Sequence, residues 1–145
     1  MSTRNDPEYV SHATLMILGD DLNPADVSTL LRLRPSQSWK RGDMHSCSLP
    51  GGSSLEFSTV HNWGGWKKKL PASQAARTLP GQLRFWARTL GGRSEAIAKL
   101  TAAGHLCALD CFIGTEATAS VVLPPELQMG LAQLGLELRL SVWAG

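Results

Sequence analysis

The chain switches repeatedly between two hydrophobic periods. Ala13 to Leu18, ATLMIL, is a short apolar run and reads as a strand. In DDLNPADVSTLL the period becomes helical, because Val27, Leu30 and Leu31 form an i, i+3, i+4 stripe. Asn23 suits the N-cap, Pro24 the first helical position where its missing N–H costs nothing, and Asp26 the positive end of the dipole. Leu22 can staple onto Val27. Arg34-Pro35 ends the helix, since the residue before a proline avoids the α region.

Alternation is weaker from Gln37 to Trp66. Ser38 to Arg41 and Leu55 to Val60 are candidate strands, with a shorter one around His45 to Leu49 and turns at Gly51-Gly52 and Gly64-Gly65. Helical spacing returns with Leu83, Trp86, Ala87 and Leu90, after a start marked by Pro80-Gly81, and Arg84 and Arg88 lie on the opposite side. Gly91-Gly92 interrupts this helix. Ser94 then caps a second one, in which Ile97, Leu100 and Ala103 face inward and which Gly104 closes.

The last third has the clearest patterns. His105 to Ile113 and Ala119 to Leu123 read as strands, and Pro124-Pro125 opens a helix with the stripe Leu127, Leu131 and Leu134 that Gly135 terminates. The alternation of Leu136, Leu138, Leu140 and Val142 predicts a final strand with one buried face. The two ends therefore echo one another, each a strand, a proline-marked helix and a leucine-rich close. The predicted class is α+β: a mostly antiparallel sheet with helices packed on one face, a two-unit sandwich related to the ferredoxin-like plan. Residues 1–12 read as a polar leader and 13–145 as one domain, a length that buries a sufficient core by itself.

Composition narrows the class without naming a function. The chain is 43% hydrophobic and 18% charged, ordinary for a globular protein, and no apolar run approaches the ~20 residues of a membrane span. The start lacks a signal-peptide core and the three cysteines are too few for a disulfide framework, so a cytoplasmic setting is expected. The net charge of +2 conceals an asymmetry. From Val60 to Leu100 eight basic residues stand against one acid, whereas the rest of the chain carries six against eleven. Clustered charge of this kind steers encounter with acidic partners or nucleic acid.

Candidate chemistry is sparse. His45-x-Cys47 and His105-x-Cys107 place His and Cys on one face of a strand, with Cys111 further along, but zinc sites favour Cys-x-x-Cys turns. Small buried thiols are the simpler account, and neither a metal nor another cofactor is expected. Asp20 and Asp21 precede a helix, where carboxylates meet the dipole. No glycine loop has nucleotide-binding spacing, and no nucleophile has a recognisable catalytic frame.

Several motifs in order carry a resemblance. LMILGDDLNPADVSTLLRLRPSQSWKRGD, an isolated Trp66, EAIAKLTAAGH before a cysteine-containing strand, and LPPELQMGLAQLGLELRLSVW are together similar to the bacterial family catalogued as domain of unknown function 4279. The matching positions are Gly19, Asp20, Leu22, Pro24, Pro35, Trp39, Gly42, Trp66, Leu83, Gly104, Pro125, Leu134 and Gly135, most of them explained by turns or packing. The chain departs from the pattern between Cys47 and Trp63 and in its closing SVW. The resemblance implies no established activity. It does imply, from members that look as if encoded beside polymorphic toxins, an immunity role.

HNWGGWKKK, His61 to Lys69, joins these threads. Trp and Arg are the types favoured at interface hot spots. The expected function is therefore a non-catalytic protein-binding module, of the immunity or toxin-antitoxin kind, that covers a toxin encoded nearby. Trp63, Lys67, Lys68, Lys69, Arg84 and Arg88 are the expected contact residues. The alternatives are a nucleic-acid-binding domain using the basic 67–99 segment, and a small-molecule or metal-dependent enzyme.

Overall fold

The computed structural model describes residues 9–48 and 56–145; the side chains of 44–48 and 56–59 lie outside that description. The elements in order are β1 (Val10–Gly19), α1 (Pro24–Leu31), β2 (Gln37–Trp39), β3 (Met44–Ser48), β4 (Glu56–Val60), β5 (Gly64–Lys68), α2 (Ala72–Ala75), α3 (Leu79–Thr89), α4 (Ser94–Ala102), β6 (Leu106–Thr115), α5 (Pro125–Leu134) and β7 (Glu137–Ala144). Asn23 caps α1, its side-chain oxygen accepting from the Ala25 N–H at 3.2 Å. The helix stops before the proline signal. Arg32 takes a left-handed conformation (φ 55°) and donates its N–H to the Ser28 carbonyl, closing the last turn.

One sheet has the order β2-β5-β1-β6-β7, and β3-β4 form a separate hairpin between β2 and β5 in sequence. β1 is antiparallel to β5 and β6, and β2 is antiparallel to β5, whereas β6 and β7 are parallel. β1 and β2 thus run the same way with β5 between them. Likewise β5 and β6 run the same way with β1 between them. Two split β-α-β units interleave, β1-α1-β2 and β5-α2-α3-α4-β6, which is the ferredoxin-like plan. The units are not the two ends of the chain, as the echo between them suggested. The C-terminal half of that echo is an extra crossover, β6-α5-β7, added to one edge.

The main core cluster comes from one face of the sheet, although Met16 and Ala108 on the other face are buried too. Ala13, Leu15 and Ile17 of β1, Trp66 of β5, and Cys107, Leu109, Cys111 and Ile113 of β6 share a cluster with apolar residues of α1, α3, α4 and α5. Helices therefore cover this face, as expected, and alternate residues turn to an outer face. The large buried polar side chains on the inner side are paired, while the Ser11 hydroxyl has no partner among the described residues. Trp86 Nε1 donates to the Ala13 carbonyl at 2.8 Å and Trp66 Nε1 to the Ser28 hydroxyl at 3.0 Å. Gln82, fully buried, accepts from the Ala13 N–H at 3.1 Å and donates to the Ser11 carbonyl at 2.8 Å, tying α3 to β1.

Several local expectations are corrected. Gly64-Gly65 is not a turn but the start of β5, where each absent side chain makes room for a neighbour. Ala119 to Leu123 is irregular rather than a strand. Its alternation is real, since Ala119, Val121 and Leu123 pack on the core while Val122 is exposed. Both sides of β6 are already occupied by β1 and β7, so the segment has no ladder to join there. Ser94 is the first residue of α4, not its cap, and Ala103 is exposed. The polar leader is shorter than expected, since Tyr9 is buried and β1 begins at Val10. In β7 the stripe meant for the core leaves it, with Leu140 and Val142 exposed by 53% and 66%.

Candidate interaction surface

β5 shows how a strand divides neighbouring residues. Trp66 is paired with Ile17 and shares its buried face, whereas Lys67 is paired with Met16 and turns outward. Trp63, three residues before Trp66, stands in the bend just ahead of β5 and is 45% exposed. It lines a cleft of about 210 Å³ with Leu18, Gly19, Asp20, Gly104 and Leu106. Between Trp63 and Lys67 on the chain lies the outer-facing position of Gly65, which is paired with Trp39 of β2.

Gly65 is small because Trp39 lies over it. A Cβ there would come within 2.1 Å of the Trp39 ring. The ring stacks on His61 with centroids 4.8 Å apart, and Lys67 Nζ stands 5.8 Å from its centroid. That cation–π contact contributes about 0.5–1 kcal/mol, enough to hold the ammonium beside the ring without neutralising it. Trp39 Nε1 is buried with no acceptor among the described residues. At the same end of the sheet, Gly64 admits the Leu22 carbonyl and Gly19 admits the His105 ring, whose Nδ1 is likewise buried without a partner. Arg41 and Asp21, both exposed, approach to 3.8 Å. The result is an aromatic and basic row of Trp63, Trp39 and Lys67.

The other expected contact residues are dispersed. Lys68 shares the inner side with Leu15, and its Nζ donates to the Arg34 carbonyl at 2.8 Å. Lys69 lies past the strand end, where its N–H donates to the Ser36 hydroxyl. Arg84 and Arg88 are exposed on α3, in the helical layer on the opposite side of the sheet from Lys67, and Arg84 is 3.5 Å from Glu126 of α5. Trp63, Lys67, Arg84 and Arg88 therefore do not form one surface, which corrects that expectation. The basic segment 67–99 is not one track either, since Arg93 donates to the Leu31 carbonyl elsewhere in the helical layer. Trp39 lies in this row with Lys67, a placement that sequence reasoning did not single out. Its signal was the glycine pair, which reads as a turn until the opposite ring is known.

Cys107 and Cys111 face the core. The Cys107 thiol is within 3.8 Å of the Thr101 hydroxyl, and Cys111 packs near the Leu109 carbonyl. Burial pushes the Cys111 thiol up to about 12, with the Asp110 charge adding to it, and raises Cys107 against the opposing hydrogen bond from Thr101. Both are therefore protonated at neutral pH, unlike metal-ligating or nucleophilic thiolates. Among the described residues no three His, Cys, Asp or Glu side chains converge; the His45 and Cys47 side chains lie outside them. Among the described residues, too, no helix is long and apolar enough to cross a membrane.

An interleaved α+β sheet with helices on one side and an aromatic row on the other defines a class of small domain. Residues 7–145 match the family described as Domain of unknown function (DUF4279), and the chain belongs to that family. No curated protein and no solved structure matches it.

Proposed function

We propose that the chain is a non-catalytic protein-binding module of the bacterial immunity type, which neutralises a toxin encoded nearby by covering its working surface. The contact set is Trp63, Trp39 and Lys67, with His61 supporting the Trp39 ring. The observation that supports it is an exposed tryptophan beside a second, preorganised one on the sheet face that carries no helices. Two rigid aromatic rings and one cation supply large contact area at low entropic cost, the composition of an interface hot spot. Lys67 adds attraction to an acidic toxin surface. A nucleic-acid reading has the dispersal of the basic residues against it.

The experiment is co-expression with each protein encoded by the flanking genes. A flanking product that arrests growth alone, and does not when this chain is present, supports the proposal. A set of flanking products with no toxicity removes it.

A further inference from the structure

We propose that β7 pairs antiparallel with β7 of a second copy, joining two sheets across a two-fold axis at Leu140. The sheet has two edges, and they differ. β2 has only three residues, whereas β7 has eight and among the described residues pairs with β6 alone. Natural edge strands are protected by Lys, Pro, bulges or brevity. ELRLSVWA has no Lys or Pro, and its charges, Glu137 and Arg139, fall in its first half. Its inner stripe begins in the core with Leu136, 7% exposed, and runs into solvent at Leu140 and Val142. The core is therefore unfinished along this edge.

Geometry restricts how a second copy can finish it. Two antiparallel copies of one strand are related by an axis perpendicular to the sheet, which keeps inner residues inner. Directly opposed residues share a face, so the axis must pass through a residue position and not between two. Centring on Arg139 would oppose two like charges. Centring on Leu138 would pair β7 with the end of α5. Centring on Ser141 sets Leu138 against Ala144, whose single methyl covers less of it than Val142 does. Centring on Leu140 sets Leu140 against Leu140, and Leu138 against Val142 twice, while Arg139 meets Ser141. Every inner apolar residue of Glu137–Ala144 then has an apolar partner, and no like charges oppose.

The full chain should sediment at twice the monomer mass, and Leu140→Lys should return it to monomer mass with an unchanged circular dichroism spectrum. Cross-linking reads the register without disturbing the core. Directly opposed residues lie about 4.5–5.5 Å apart between Cα atoms, within disulfide reach, so Leu140→Cys should form a covalent dimer on mild oxidation. Val142→Cys should not exceed the parent protein's own cysteine background, because its copy lies roughly 13 Å away along the strand. The doubled mass together with cross-linking selective for position 140 supports the proposal. A monomer at every concentration, a dimer that survives Leu140→Lys, or cross-linking not selective for position 140 overturns it.

Discussion

Trp63 and Trp66 are three residues apart in sequence, the first in the bend before β5 and the second inside it. Trp66 has no exposed surface, and its N–H is held by Ser28. Trp63 is nearly half exposed and rims a cleft. Within β5, Trp66 and Lys67 point to opposite faces, and Trp63 lies outside the strand, so adjacency in HNWGGWKKK does not mean a shared role. On the inner face the Trp86 indole and the Gln82 amide are held by backbone and the Trp66 indole by the Ser28 hydroxyl. On the outer face the Trp39 indole N–H has no acceptor among the described residues. The first face specifies the fold, and the proposed recognition row lies on the second.

Substitutions should separate the faces by size of effect. Trp66→Ala removes a fully buried ring and should cost about 3–5 kcal/mol, read as a fall in the urea midpoint. An effect below ~1 kcal/mol would mean that the inner face is not the scaffold described. Gln82→Ala strips its hydrogen bonds from β1 and should cost about 2–3 kcal/mol, because the groups it satisfies stay buried. Gly65→Ala should cost about 1–3 kcal/mol by forcing the Trp39 ring off its seat, with a changed near-ultraviolet dichroism signal from that indole. An unaltered signal would show that the ring is not set by the glycine.

Smaller effects follow. The Cys111 thiol keeps its proton up to about 12 in the folded chain but releases it near its ordinary value of 9.0 once exposed. Below 9 both states hold that proton and its stabilisation is fully present; above 9 only the unfolded chain ionises, so stability falls as pH rises toward 12. Cys107, raised in the same direction, adds to this. Cys111→Ala should flatten the alkaline part of a stability profile, and an unchanged slope would count against the burial of that thiol. Smallest of all, Trp63→Ala and Lys67→Glu should leave the urea midpoint within about 1 kcal/mol of the parent value, since neither fills the core.

Local signals carried most of the elements. The cap at Asn23, the stripe through Leu83 and Trp86, and the close at Gly135 each depend on residues within one helix, and each is where the sequence puts it. What was not legible depends on partners distant in the chain. Gly64-Gly65 looks like a turn because the reason for two glycines is supplied by Leu22 and Trp39. Ala119 to Leu123 alternates like a strand, but β7 already occupies that side of β6. Leu140 and Val142 look like core residues, and only strand order reveals that they lie on an edge. Of the candidate surface, Trp63 and Lys67 were readable as a pair, while the split from Arg84 and Arg88 required the sheet between them.

The central claim is that the outer row, and not the buried scaffold, carries recognition. It is tested most directly by growth of cells that co-express a toxic flanking-gene product with either the parent chain or the Trp63→Ala, Lys67→Glu double variant, both at equal soluble levels. The account predicts rescue by the parent and none by the double variant. Equal rescue by both would contradict it.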